Sequence, residues 1–274
     1  MKTVMNTLKS TLFIVIFAVL IAGCGANRAA SRITVLTYNI YHGEDAAGGS
    51  NLDAVAGIIN TFRPDLVALQ EVDEKTTRVK GLDLTAELAE RTGMEGRFGK
   101  AMDYAGGGYG VAVLSRLPIV GEANHPLPHG TGVEPRTALG VEVRLPDGRR
   151  VLFVSTHLDH KRDPKDRLAQ AAVARELFAD ADTPVILAGD LNATPDSETL
   201  ALFMPEWQWT AGRDPQPTFP ADEPNRTIDY ILIKPAERWR VVETRVIEEK
   251  VASDHRPVLA ILELLPEPRK GIPF

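Results

Sequence analysis

Seven short runs of β-branched and aliphatic residues recur along the chain: Ile33 to Thr37, Leu66 to Leu69, Val111 to Leu114, Val151 to Thr156, Val185 to Leu187, Ile228 to Ile233 and Val258 to Leu262. Several are continuously apolar, as strands covered on both faces are. Between them the period changes. Leu52, Val55, Ile59 and Phe62 recur three or four residues apart, which predicts one face of a helix, with Pro64 ending it. Leu168 to Phe178 predicts a second helix, stopped before Pro184. Strands mixed with helices over about 240 residues predict one layered α/β domain spanning residues 32–274. No second linker, low-complexity tract or solenoid-length repeat interrupts it.

The start of the chain follows a different pattern. Lys2 and Lys9 flank a polar stretch, and the 11 residues from Leu12 to Ala22 are all apolar. That is short for a permanent membrane helix, which needs about 20. Residues 1–23 therefore predict an export signal. The run ends in Leu20-Ile21-Ala22-Gly23-Cys24, which resembles the bacterial lipobox, whose cysteine becomes the lipidated first residue of the mature chain. Lipidation of Cys24 is the expectation, with residues 24–31 as a small, polar tether to a domain held at the cell envelope. Gly25 stands where an inner-membrane retention signal has Asp, so a cell with two membranes would carry the protein on its outer one. An ordinary signal peptide with an incidental cysteine is the alternative.

Composition narrows the function. With 44% apolar and 25% charged residues, the chain is neither disordered nor collagen-like. Cys24 is the one cysteine, which excludes an intramolecular disulfide and a structural thiolate metal site. Without the first 23 residues the chain carries 29 basic against 37 acidic side chains, a net charge of about −8. A surface built for the nucleic-acid backbone is disfavoured on that balance.

Polar residues gather where the apolar runs end. Thr37-Tyr38-Asn39-Ile40 closes the first run and Gln70-Glu71 the second. Ser155-Thr156-His157-Leu158-Asp159-His160 and Gly189-Asp190-Leu191-Asn192 close two later ones. Thr227-Ile228-Asp229-Tyr230 and Ser253-Asp254-His255-Arg256-Pro257 complete the set. Strand ends line the crevice of an open α/β sheet, so these groups are expected to converge. Singly, each has a plain structural reading: Glu71 a solvated turn carboxylate, Asn39 and Asn192 loop amides bonding their own backbone, His157 a satisfied core histidine, Asp254 an N-cap. Their joint occurrence at strand ends points to a site. Carboxylates and amides without cysteine suit a hard cation, Mg²⁺ or Mn²⁺. The histidines suit proton transfer and charge stabilisation.

Together these segments resemble the endonuclease/exonuclease/phosphatase superfamily across residues 32–264. The resemblance implies a four-layer α/β/β/α sandwich, two mixed sheets face to face with helices outside, and metal-dependent phosphoester hydrolysis. It implies Glu71 as the main metal ligand, with Asn39 and Asp254 beside it. It implies Asp190 to orient or deprotonate the attacking water, Asn192 to hold the phosphate, and His157 and His255 to bond phosphoryl oxygens, with Asp229 fixing His255. Whether Asp190 or the His255–Asp229 pair is the base stays open. Tyr109 matches a family position near the phosphate, against a plain reading as a strand-edge tyrosine. One position departs from the family pattern: Thr227 stands where Arg or Lys is usual, with Arg226 one step earlier.

Arg136, Arg78 and His42 are secondary candidates, for anion or headgroup recognition or for lining the cleft. A solvated loop charge is the plainer expectation for each. The functional expectation is a monomeric Mg²⁺-dependent phosphatase or phosphodiesterase acting on a small or lipid-linked phosphoester. The alternatives are an extracellular nuclease and a catalytically silent lipid-anchored binding module. The nuclease needs a basic stripe, and Lys161, Arg162, Lys165 and Arg167 alternate with Asp159, Asp163 and Asp166.

Overall fold

A computed structural model describes residues 30–181, 183–212 and 215–267. Cys24 and the export signal lie outside the described residues. In chain order the strands are β1 (Ser31–Asn39), β2 (Leu66–Glu74), β3 (Glu95–Tyr104), β4 (Gly107–Ser115), β5 (Ile119–Leu127) and β6 (Arg136–Arg144). They continue with β7 (Arg150–His157), β8 (Val185–Asp190), β9 (Gln208–Trp209), β10 (Asp229–Lys234), β11 (Trp239–Val246) and β12 (Val258–Leu264). The helices are α1 (Leu52–Phe62), α2 (Leu84–Thr92), α3 (Lys165–Leu177) and α4 (Glu198–Ala201).

The strands form two six-stranded sheets, in the orders β11-β12-β1-β2-β4-β3 and β5-β6-β7-β8-β10-β9. One buried cluster, with Val35, Ala68, Val113, Val141, Phe153, Ile186, Ile231 and Leu262, draws on both sheets and is the core between them. On the outer face of the first sheet, Leu36, Leu69 and Leu114 pack with Val55 and Ile59 of α1 and Leu88 of α2. On the outer face of the second, Val154, Leu187 and Leu232 pack with Ala171 and Ala174 of α3 and Leu200 of α4. The alternation of side chains along each strand thus serves two apolar contacts, and the layers run α/β/β/α as expected.

All seven apolar runs lie in or overlap strands. The strands that the runs leave out are β3, β5, β9 and β11, which edge the two sheets, and β6, which is interior. Edge strands expose much of their length, as β5 and β11 do here, and lack a continuous apolar run. In β6, Gly140, Glu142 and Arg144 break the apolar pattern although the strand is mostly buried. The expected tether gives up its last residue: Ser31 pairs with Leu264, and its hydroxyl donates to Asp147 at 2.6 Å. The predicted second helix starts three residues earlier, at Lys165.

Two neighbouring pairs are parallel, β1 with β2 and β7 with β8. Their C-terminal ends deliver the polar clusters. Asn39 stands opposite Gln70, and His157 opposite Asp190. The antiparallel β8–β10 pair then sets Asp229 opposite Asp190, so His157, Asp190 and Asp229 form one row across three strands. Close approach at this row requires glycine: a Cβ at Gly189 would overlap the Thr156 carbonyl.

Candidate active site

Asp190 is almost wholly buried, and its carboxylate is the centre of the site. Its Oδ2 lies 3.3 Å from Asn39 Nδ2, 3.4 Å from His157 Nε2 and 3.6 Å from His255 Nε2. Its Oδ1 accepts the Asn192 backbone N–H at 2.8 Å. Asn39 and the loop of His255 come from the first sheet, whereas His157 and Asp190 come from the second. The site is therefore built across the sandwich. His255 Nδ1 lies 3.0 Å from Asp229 Oδ2, and Ser253 ties the loop down by donating to the Asn39 carbonyl at 2.7 Å.

Glu71 enters through a distortion. The β2–β4 register slips between Leu69 and Val72, and Glu71 has φ of 55°, the left-handed region that non-glycine residues rarely adopt. The bulge turns its carboxylate towards Asn39 Nδ2, 3.2 Å away, and His42 Nδ1, 3.5 Å away. His42 and Asn192 also have positive φ, so three cleft-lining residues hold uncommon backbone conformations.

The cleft has a volume of about 390 Å³. Besides Glu71, His157, Asp190, Asn192, Asp254 and His255, its lining includes Tyr109, Arg136, Arg78 and His42. Three of the expected solvated loop charges are thus cleft residues. Arg136 is 4% exposed, opening β6 with Nη1 2.9 Å from His157 Nδ1 and 2.8 Å from Glu134 Oε1. Arg78 forks onto the buried Asp73 at 2.7 and 2.9 Å and lies over the Tyr104 ring. Tyr109 belongs to an interior strand and faces the cleft. At the departing position, the Thr227 hydroxyl donates to the Gln216 carbonyl, and Arg226 covers the Phe219 ring, which packs on His255.

The charges are strongly perturbed. Burial pushes the Asp190 carboxyl up with help from the Asp229 charge, and against the opposing His255 charge it reaches about 7. Burial pulls His255 down, but Asp229 and Asp190 outweigh it and push the imidazole up to about 10. His157 goes the other way: burial and the Arg136 charge hold it well below the usual imidazole value. Burial raises Glu71, yet bonds from His42 and Asn39 prevail and hold it down at about 2.

Two groups of donors bear on a metal. Ligand atoms of Asp190, Asp229 and His255 lie within 4.8 Å of one another, but the His255–Asp229 hydrogen bond already engages both partners. Glu71, with a side chain 22% exposed, opens to the cleft and stays ionised. Asp254 is raised by burial and by the Glu71 charge, despite the opposing charge of His255. Two carboxylates in mutual repulsion beside a polar cleft fit a hard cation. Asn39 Oδ1 accepts the Tyr41 backbone N–H at 3.1 Å, and its amide nitrogen faces Glu71 and Asp190.

The candidate site residues named from sequence that lie within the described residues thus meet in or beside one cleft. His160, Glu134, Tyr104 and Phe219 also line it without having been singled out. His160 lies in the cluster after the fourth apolar run, the one signal that points to it.

The family model of the Endonuclease/Exonuclease/phosphatase family matches residues 36–255. An uncharacterised Escherichia coli protein, YbhP, is 28% identical over 245 residues, covering 84% of this chain and 96% of its own. A Beutenbergia cavernae endonuclease/exonuclease/phosphatase structure is 26% identical with a TM-score of 0.72, covering 87% of this chain and 73% of that one. The Bacteroides thetaiotaomicron mannosyl-6-phosphatase shares the fold at 20% identity and a TM-score of 0.70, covering 84% of this chain and 99% of its own. With its four layers, its convergent strand ends and a family match over most of its length, the chain belongs to the endonuclease/exonuclease/phosphatase family of phosphoester hydrolases.

Proposed function

We propose that the protein is a Mg²⁺- or Mn²⁺-dependent phosphatase or phosphodiesterase for a small or lipid-linked phosphoester. The observation that carries this reading is the ring of three groups, Asn39, His157 and His255, around the Asp190 carboxylate at the wall of the cleft. Asp190, near neutrality in its affinity for a proton, takes one from a water aimed at phosphorus. The new bond is water oxygen to phosphorus, and the bond to the ester oxygen breaks. His255, held protonated by Asp229, neutralises charge building on the phosphoryl oxygens. His157 and Asn192 donate hydrogen bonds to the same oxygens. A cation held by Glu71 and Asp254 would polarise the phosphoryl group and stabilise the leaving oxygen.

The small-substrate reading rests on cleft volume and on where the cations are. A cleft of about 390 Å³ suits a small ligand. Beside it, Lys161 donates to the Gly132 carbonyl and Arg167 to the carbonyls of Asp159 and Lys161, so these cations serve the loop. A nuclease draws non-specific affinity from several lysines and arginines free to neutralise phosphates. We also propose that Cys24 is lipidated and holds the enzyme at the cell envelope. Cys24→Ser should then abolish labelling by a fatty-acid analogue, and equal labelling would leave an ordinary export signal.

The deciding experiment compares hydrolysis of phospho-headgroup and sugar-phosphate esters with plasmid nicking, at matched Mg²⁺ and two salt concentrations. Headgroup or sugar-ester turnover without efficient nicking supports the proposal. Nicking that collapses steeply with salt, without small-ester turnover, replaces it with a nuclease.

A further inference from the structure

We infer that Arg136 is a positioning residue that makes Nδ1 of His157 and of His160 an acceptor and so places the ring proton of each on Nε2. A guanidinium has five N–H donors, no lone pair, and no accessible deprotonated form. Nη1 of Arg136 lies 2.9 Å from His157 Nδ1, and Nη2 lies 3.2 Å from His160 Nδ1. Each Nδ1 must therefore accept, and the ring proton of each sits on Nε2. Arg136 is 4% exposed, and Glu134 Oε1 holds Nη1 at 2.8 Å, so the guanidinium is fixed against the rings.

The neighbours of His157 test this assignment. Asp190 Oδ2, 3.4 Å from Nε2, is an acceptor and agrees with a proton there. Asn192 Nδ2, 3.0 Å from the same nitrogen, is a donor and conflicts with it. A neutral imidazole has one lone pair, so Arg136 and Asn192 cannot both donate to it. The permanent charge of Arg136 decides the contest, and an amide can turn over where a guanidinium cannot. Asn192 then presents Oδ1 to the His157 Nε2–H and moves its amino group away from the Leu158 carbonyl, which it meets at 3.1 Å. The depression of His157 by burial and by Arg136 accords with a neutral ring.

The chemical consequence rests on the phosphoester reading, whereas the tautomers do not. When substrate binds, the His157 Nε2–H passes from Asn192 Oδ1 to a phosphoryl oxygen, and His157 is not the acid that protonates the leaving group. His160, which also lines the cleft, supplies a second N–H for the part of the substrate beyond the phosphate.

Nuclear magnetic resonance of the full protein with ring-¹⁵N histidine reads the tautomers directly, with and without Mg²⁺. The wild type should show His157 with its one proton on Nε2 through the neutral pH range, and His160 with Nδ1 as its acceptor nitrogen. Arg136→Met should release His157 to a mixed or protonated state and lower kcat by about 10–10²-fold with KM little changed. Arg136→Lys, able to reach one ring, should recover part of both. On a His157→Ala background, Arg136→Met should cost little more. A wild-type His157 protonated on Nδ1 overturns the proposal, whatever the variants do. So does an unchanged His157 spectrum in a folded Arg136→Met protein. A raised KM at constant kcat would make Arg136 a direct anion binder and overturn its positioning role. Absence of phosphoester turnover with the predicted tautomers would refute the functional reading alone.

Discussion

His255 Nδ1 and Asp229 Oδ2, 3.0 Å apart, join the loop before β12 in one sheet to the first residue of β10 in the other. The bond spans the sandwich beside the cleft, fixes the ring that faces Asp190, and keeps that ring charged. Asp229→Asn should retain the shape of the site and lose the charge. We expect kcat to fall by about 10²–10⁴-fold, with thermal unfolding shifted far less. Steady-state kinetics and calorimetry on one preparation check both halves.

The pH dependence follows from two raised groups. Asp190 is raised to about 7, so it holds its proton below neutrality and becomes a base above it. His255 is raised to about 10, so its positive charge persists through neutrality and is lost above that value. Activity should rise through neutral pH and fall again in strong alkali. Raising Mg²⁺ from sub-saturating to saturating should move the acidic limb to lower pH, because a cation favours the carboxylate. Asp229→Asn should move the basic limb to lower pH, since the Asp229 charge is what raises His255. Profiles of kcat/KM for the two proteins test this, and a flat wild-type profile contradicts it.

Metal removal has a defined outcome. A chelator should abolish turnover, and Mg²⁺ or Mn²⁺ should restore it. Glu71→Gln keeps the shape of the side chain and loses its charge. It should raise the Mg²⁺ concentration for half-activation by at least about 10-fold. Activation curves for the wild type and this variant decide the matter.

A stability prediction lies at the other end of the sandwich. Arg149 Nη1 donates to the carbonyls of Leu264 and Leu265 at 3.1 and 2.8 Å, Nη2 to Ser31 Oγ at 2.9 Å, and Nε to Asp147 Oδ2 at 2.7 Å. It thereby ties the turn before β7 to β1 and β12. Arg149→Ala should cost about 2 kcal/mol, lowering Tm by roughly 4–8 °C, with kcat unchanged. Loss of activity without loss of stability would contradict this separation.

The interior of the fold and the core of the site were legible in sequence because both obey local patterns. Interior strands other than β6 announce themselves as apolar runs, and their polar ends mark the cleft. Hidden features depend on partners far along the chain. Arg136 looks like a loop charge until its partner His157, 21 residues away, is brought beside it. Glu71 reaches the cleft through a bulge with no composition of its own. Helix α2 presents Leu84 and Leu88 with few other apolar residues, and Asp83 caps it by accepting the Ala86 N–H. Edge strands escape notice because their faces meet water.

Turnover of a small phosphoester with Mg²⁺, compared between the wild type and Asp190→Asn, tests the central claim most directly. The wild type should release phosphate or a phosphomonoester from the substrate, and the variant should be slower by at least about 10²-fold while remaining folded. Equal rates in the two proteins, or no phosphoester cleavage by the wild type, would contradict it.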